Sequence, residues 1–267
     1  MQGWQTSCLG PRDIPGDLSD FELQAFFSFS RAEHELLARR RSDSLKLGLA
    51  LHIGFARMSG RPLNSVRVVP PRLLRHLGHE LGIAAPDLVS LRALYARGRT
   101  LFDHQQQACE CLGFKWMTEH QRRALVRVLR DEVAHCTDRE QLLVLARQWL
   151  YDHQLLIVHD RVIRAMVAAA LVELEAATSQ GIVATVPAAT RKRWTSALNA
   201  LRPDGQHCQS WLWSAPARHS TRQISEVLER IAFLTDLGID RHLGDLNDVL
   251  VRRYGPRMAA RPHRSAP

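Results

Sequence analysis

The stretch SDSLKLGLALHIGFARMSGRPL, residues 42–63, has the apolar periodicity of an α-helix. The residues on one helical face are Leu45, Leu49, Ile53 and Ala56. The leucines between them widen this face, and so broad an apolar face is typical of a helix inside a core. We therefore predict a core helix over residues 43–58, with His52 packed inside it rather than acting as a ligand.

Basic side chains stand at both ends of this predicted helix. The triple arginine Arg39, Arg40 and Arg41 precedes it, Lys46 lies in its first turn, and Arg57 and Arg61 mark its end. Guanidinium groups at the ends of a helix suit phosphate contacts better than base reading. The first interpretation is therefore that these six residues hold DNA, and the alternative is a solvated basic surface.

The rest of the chain predicts an all-α protein. Capping boxes such as Ser30-x-x-Glu33 and Thr118-x-x-Gln121 recur, and glycines such as Gly60 and Gly113 follow the apolar segments as helix stops. Helices are expected over residues 19–28, 30–41, 43–58, 71–81, 86–96, 100–112, 118–135, 138–151, 159–179, 187–201, 207–214 and 220–237. The segment 154–158 is either a short strand or the start of the next helix.

Charge points to a polyanionic partner. The 267 residues carry a formal net charge of +9, with a sequence pI of about 10.0, and nearly all the basic residues are arginine. Arginine binds phosphate through a flat, bidentate fork. Basic residues dominate residues 31–75 and 92–130, whereas residues 131–175 are acidic. This pattern favours two DNA-facing segments before an interaction region, although a general preference for arginine at the surface would also give a basic chain.

A second basic stretch, LRALYARGRTLFDHQQQACECLGF over residues 91–114, has the pattern of a helix-turn-helix. A short apolar helix is followed by a glycine-containing turn and a helix that starts with polar side chains. The candidate DNA contacts here are Arg97, Arg99, Thr100, His104 and Gln105. Glutamine can read adenine and arginine can read guanine; the alternative is a capped helix with a polar exposed face.

The third stretch, TEHQRRALVRVLRDEVA over residues 118–134, predicts a basic amphipathic helix. Arg122 and Arg123 are its candidate phosphate contacts, and a solvated basic face is the alternative. Bulky apolar residues beside the basic face are missing, which disfavours a membrane surface as the partner. The chain also has no apolar run of 18 residues and no secretion signal, so we expect a cytoplasmic, nucleoid-associated bacterial protein.

Signatures of catalysis and metal binding are missing from the sequence. It has no phosphate-binding GxxxxGK[ST] loop, no HExxH and no GxSxG. The five cysteines are irregularly spaced, which disfavours a zinc site and favours free thiols. We therefore expect no catalytic residues, no metal and no cofactor.

Taken in order, three motifs resemble the N-terminal region of Tn-three family replicative transposases. They are RRRSDSLKLGLALHIGFARMSGRPL, then YARGRTLFDHQQQACECLGFKWMTEHQRRALVRVL, then YDHQLLIVHDRVIRAMVAAA. The segment SWLWSAPARHSTRQISEVLERIAFLTDLGID, residues 210–240, resembles the next segment of the transposases in one branch of the family. The resemblance implies binding of the transposon's terminal inverted repeats by helical N-terminal domains. It further implies that Tyr95, which matches the second family block, and Lys115, which stands where the family often has arginine, contact DNA. It also implies that DNA cutting and joining belong to a C-terminal domain with three carboxylates and two magnesium ions.

That catalytic domain has no counterpart here, so the resemblance implies a truncated copy that is not itself an enzyme. We expect a first DNA-binding module over residues 1–82 and a second over 83–155. A helical linker or dimerisation region is expected over 156–254, and a disordered tail over 255–267. The expected partners are double-stranded DNA at the terminal repeats, together with the full-length transposase or a second copy. The alternatives are a fragment that pairs with full-length transposase and modulates it, or a remnant without function.

Overall fold

The computed structural model describes residues 8–84, 87–96, 98–214 and 221–243. Within these ranges the all-α prediction is confirmed, since the strand-like pairings are isolated bridges. The helices are α1 (Asp20–Phe27), α2 (Arg31–Ala38), α3 (Asp43–Ser59), α4 (Pro71–Leu81), α5 (Leu88–Leu94), α6 (Arg99–Leu112), α7 (Glu119–Val133), α8 (Arg139–Asp152), α9 (Asp160–Thr185), α10 (Ala188–Asn199), α11 (Cys208–Trp213), α12 (Thr221–Leu237) and α13 (Asp240–Leu243). The predicted tail lies outside the described residues.

Local signals set the ends of these helices, as the sequence predicts. Ser30 and Glu33 form a reciprocal capping box at the start of α2. Gly60 and Gly113 end α3 and α6 with φ angles of 68° and 73°, in the left-handed region that favours glycine. Two predicted ends are wrong. Helix α2 stops at Ala38 rather than at residue 41, and α9 continues past residue 179 to Thr185 and stops only before Pro187.

Helix α3 is the core helix that its apolar residues predict. Every residue from 47 to 56 is buried, and helices α1, α2, α4, α5 and α6 all pack against it. A helix that is apolar on all sides needs neighbours on all sides. Two glycines let those neighbours approach closely. A Cβ on Gly54 would lie 2.5 Å from Cε1 of the buried Phe27 ring, and a Cβ on Gly48 would overlap the hydroxyl of Tyr95.

The segment that follows α8 is extended rather than helical. The Leu156 amide donates to the Lys115 carbonyl (2.9 Å), and the Lys115 amide donates to the Gln154 carbonyl (2.9 Å). The Ile157 amide donates to the carbonyl of Gly60 (2.8 Å), at the end of α3. After a turn at Gln154, whose φ is 53°, residues 155–158 therefore form a single extended connection that satisfies backbone groups against two loops.

A partly buried ion network holds this connection to the end of α3. The Arg61 side chain is only 7% exposed, and its Nη2 donates to the Val158 carbonyl (2.9 Å) and to Asp160 Oδ1 (2.5 Å). Arg147 binds the other oxygen of Asp160 at 2.8 Å. Burial raises the pKa of Asp160, but the two arginines outweigh it and hold that pKa below the usual value. Asp160 is thus a charged carboxylate shared by α3, α8 and α9.

The chain divides into two compact units. Unit 1 comprises Met1–Leu129 and Arg139–Val167, and unit 2 comprises Arg130–Asp138 and Ala168–Pro267. In unit 1 one core joins residues from the first and the second predicted DNA-binding module, from Ile14 to Ala108. The functional boundaries at residues 82 and 155 stay a prediction.

Unit 2 is arranged around Trp211, which is 4% exposed. The Arg202 guanidinium lies 3.8 Å from the centre of its ring and that of Arg230 lies at 5.6 Å, while Phe233 meets the ring edge-on. Arg230 also donates to the carbonyl of Ser214 (2.7 Å), which ties α12 to the end of α11.

We predict opposite effects for the same substitution at two helical glycines. Gly54→Ala should lower the free energy of unfolding by about 1–3 kcal/mol, because the new methyl group would overfill the space held by Phe27. Gly181→Ala in α9 should raise it by up to about 1 kcal/mol, because nothing lies within 4 Å of the added carbon and alanine is the better helix former. Urea denaturation followed by circular dichroism measures both, and a stabilising Gly54→Ala would contradict the packing described for α3.

Breaking the partly buried ion network should also destabilise the fold. Arg61→Gln leaves Asp160 with one arginine, so we expect a loss of about 2–4 kcal/mol, somewhat below the usual cost of removing one partner of a buried pair. Arg164→Gln removes an exposed pair with Glu140 and should change stability by less than about 1 kcal/mol. Equal effects of the two substitutions in urea denaturation would show that the Arg61 network contributes little.

Candidate nucleic-acid interface

The turn between α2 and α3 presents the triple arginine. Arg39 caps the end of α2, and Ser42 caps the start of α3 through its side chain. Arg39 and Arg41 are exposed, and neither forms an ion pair with any residue that the structure describes. Arg40 is partly buried, and its charge lowers the pKa of His104 in α6. Arg40 therefore lies within electrostatic reach of His104 in the first half of α6.

Helix α6 is held against α3 by an aromatic cluster. The Tyr95 hydroxyl, at the end of α5, is hydrogen-bonded to Nδ1 of His104 (2.8 Å) where Gly48 leaves room for both. The ring of His52 meets both of these rings edge-on, at 5.5 and 5.9 Å. This cluster fixes the rotation of α6 about its own axis, since His104 faces α3 and is 2% exposed.

Burial keeps both histidines neutral. The pKa of His104 is lowered to about 4, mainly by burial and then by the Arg40 charge, against the opposing effect of Asp103. The pKa of His52 is lowered to about 3 by burial, with a smaller contribution from His104. The packed histidine expected at position 52 is thus in place, and His104 is bound inside the fold rather than turned to solvent.

The other candidates of this segment differ in accessibility. The Gln105 amide donates to the Leu63 carbonyl (2.8 Å) and to Asn64 Oδ1 (3.2 Å), so it braces the loop after α3. Thr100 is partly buried, whereas Arg99 is exposed at the start of α6. Arg97 lies outside the described residues.

Arg57 and Arg61, at the end of α3, are engaged inside unit 1. Arg57 donates to the carbonyls of Phe26 and Ser28 (both 2.8 Å) and forms an ion pair with Glu33. Burial raises the pKa of Glu33, but the Ser30 hydrogen bonds and the Arg57 charge outweigh it and lower that pKa. With Arg61 held by Asp160, both guanidinium groups stabilise the fold in this structure.

The remaining basic candidates are accessible: Lys115, Arg122 and Arg123 are exposed, and Lys46 is partly exposed. Lys46 pairs with Asp43 at 3.1 Å, and Arg122 and Arg123 share Glu119 at 3.1 and 3.6 Å. The Lys115 side chain is exposed, while its backbone pairs with residues 154–156. Pairs between exposed side chains contribute about 0–1 kcal/mol, so these cations can exchange their carboxylate for a phosphate.

Two exposed aromatic residues were missed by the sequence reasoning. Phe102 in α6 is 63% exposed, and Trp116, directly after Lys115, is 71% exposed. The signal for Phe102 was present in the helical phase. His104 and Ala108 share the buried face of α6, which turns Phe102 and Gln106 outward.

Within the described ranges, the structure contains no group of three or more histidine, cysteine, aspartate or glutamate residues able to hold a metal ion. In the same part of the chain, no helix is long and apolar enough to cross a membrane.

Comparison of the amino-acid sequence with known proteins shows the family of this chain. The "Transposase for insertion sequence element IS1071 in transposon Tn5271" of Comamonas testosteroni is 63% identical over 262 residues, 98% of this chain and 27% of that protein. The "Transposase for transposon Tn1546" of Enterococcus faecium is 19% identical over 229 residues, 85% of this chain and 23% of that protein. The chain is thus homologous to transposases and spans about a quarter of the length of these relatives. The family described as "Domain of unknown function (DUF4158)" matches residues 11–170, more than half of the chain, and the chain belongs to that family.

Proposed function

We propose that this chain binds double-stranded DNA at the terminal inverted repeats of a transposon, as the N-terminal recognition part of a Tn-three family transposase. The observation that carries the proposal is the exposed, unpaired Arg39 and Arg41 in the turn between the capped ends of α2 and α3. The proposal assigns recognition of DNA ends, and not phosphoryl transfer, to these residues.

The pairing of the arginines supports this assignment more strongly than the net charge does. Arg57, Arg61 and Arg147 have their charges compensated by acidic residues inside unit 1. Arg39 and Arg41 keep uncompensated charges in solvent, where like charges in neighbouring positions repel one another. A phosphate backbone would relieve that repulsion and accept the bidentate guanidinium bonds. Arg99 and Lys115 are further exposed cations of the same unit.

Removing the two free guanidinium groups should weaken binding to every DNA sequence. Arg39→Gln/Arg41→Gln should reduce the slope of log Kobs against log salt by about 2, since each phosphate contact contributes about 0.9. The measurement is a salt titration on a terminal-repeat duplex and on a scrambled duplex of equal length. The matched control is Arg31→Gln/Arg164→Gln, which removes the same charge from exposed arginines that already have carboxylate partners. Equal slopes for the two double variants would contradict the role of the turn.

A second function, self-association, is favoured by one face of α12. Its exposed apolar residues, the apolar row of α12, are Ile224, Val227, Leu228, Ile231 and Leu234. The opposite side of the helix faces Trp211 through Phe233 and Arg230. Spacing of three and four residues is that of a helix-pairing seam, so we propose a second copy of the chain as the partner of this row.

If the row pairs two copies, a charge inside it should separate them. Ile231→Asp should shift a concentration-dependent dimer to the monomer in sedimentation analysis, because the charge would have to be buried. Val172→Asp changes an apolar residue of similar exposure on α9 of the same unit and should leave the dimer intact. A wild-type chain that stays monomeric across the concentration range would contradict self-association through α12.

A further inference from the structure

We propose that the bases are read by the outer face of α6, formed by Arg99, Phe102, Asp103 and Gln106, with Phe102 and Gln106 as the specificity-determining residues. This inference rests on the proposed function, since it names the part of unit 1 that would distinguish one DNA sequence from another. It replaces His104 and Gln105 as the expected readers.

Helical phase separates the two sets of residues. Arg99, Phe102, Asp103 and Gln106 follow the spacing of one helical face, and all four are exposed. His104 and Ala108 lie on the buried face, at 2% and 1% exposure. A side chain that reads a base edge must project from the helix into the groove, and among these residues only the outer face does so.

The outer face is presented rigidly. The Tyr95–His104 hydrogen bond and the two bonds of the Gln105 amide hold the inner side of α6 on α3 and on the loop after it. The packing around Gly48 leaves no free space at this contact. Because the helix cannot rotate, its outer side chains keep a fixed register relative to the arginine turn, which is what sequence reading requires.

The charge of this face suits contact with base edges in the major groove better than contact with the phosphate backbone. It carries Asp103, and Glu110 lies one turn beyond Gln106, so it is not a basic surface. Exposed cations of the same unit, Arg39 and Arg41, lie in the turn that also holds Arg40, whose charge acts on His104 of this helix. A carboxylate near phosphate is repelled, whereas within the major groove it can accept a hydrogen bond from the amino group of cytosine. The arrangement favours phosphate contacts from the turn and base contacts from the helix.

Two side chains of this face, Gln106 and Phe102, each match a chemical feature of a base. The Gln106 amide donates to Glu110 (2.8 Å), an exposed bond that it can exchange for two hydrogen bonds with adenine. Phe102 is a large apolar side chain that the fold leaves 63% exposed, and the thymine methyl group is the apolar feature of the major groove.

The test compares Phe102→Ala/Gln106→Ala with wild type on the terminal-repeat duplex and on the scrambled duplex. We expect the double variant to reduce the preference for the repeat by about 10-fold or more, with unchanged affinity for the scrambled duplex and an unchanged salt slope. The matched control, Phe21→Ala/Gln24→Ala, removes the same residue types from the exposed side of α1 and should keep the preference. Circular dichroism verifies that both variants are folded.

A second arm tests the thymine contact directly. Replacing single thymines of the repeat by deoxyuridine removes one methyl group at a time, and one such replacement should weaken wild type but not Phe102→Ala. A double variant that keeps the wild-type preference, or methyl effects that persist without Phe102, would overturn the inference and leave DNA binding standing. A wild-type chain that binds both duplexes equally would overturn terminal-repeat recognition together with the inference.

Discussion

The burial of α3 on all sides is the constraint on which unit 1 depends. A single neighbouring helix cannot bury all sides of residues 47–56. Five helices, α1, α2, α4, α5 and α6, therefore pack around α3. Gly48 and Gly54 determine how closely the neighbouring helices approach α3. Gly54 admits the ring of Phe27, and Gly48 admits Tyr95 and His104. The position of α6, and with it the proposed DNA surface, is therefore a consequence of packing around one apolar segment.

The same constraint divides the arginines into two classes. Those at the end of α3 lie among α1, α2 and the connection after α8, so Arg57 and Arg61 find carbonyls and carboxylates within the fold. Those at its beginning lie in a short turn at the surface, where Arg39 and Arg41 find no carboxylate among the described residues. Burying an unpaired charge is costly, so the compensated arginines are part of the fold, whereas Arg39 and Arg41 stay in solvent, where the proposed function uses them.

The sequence predicted the helices well because their signals are local. Ser30 and Glu33, or Gly60 after an apolar run, act within one helical turn and need no knowledge of the rest of the fold. The role of Arg61 could not be predicted in this way, because its partner Asp160 lies 99 residues further along the chain. Residues 154–158 were ambiguous for the same reason, since their backbone partners are in two distant loops. The side-chain chemistry of His104 and Gln105 suits DNA contact, but the phase of α6 on α3 buries His104 and engages the Gln105 amide with the loop after α3.

Which side chains of α6 face outward would also determine how such a protein distinguishes one DNA sequence from another. Discrimination is a difference of affinities, and a surface of arginines alone raises affinity for all sequences equally. A carboxylate such as Asp103 near the contact lowers affinity for any placement that brings phosphate to it, and so it weakens non-specific binding more than a correct placement over base edges. A rigid α6, with its acid turned outward and the free arginines set to one side, would combine both effects. The packing around α3 would then place the residues that raise affinity for all DNA, the arginines of the turn, apart from the residues of α6 that distinguish one sequence from another.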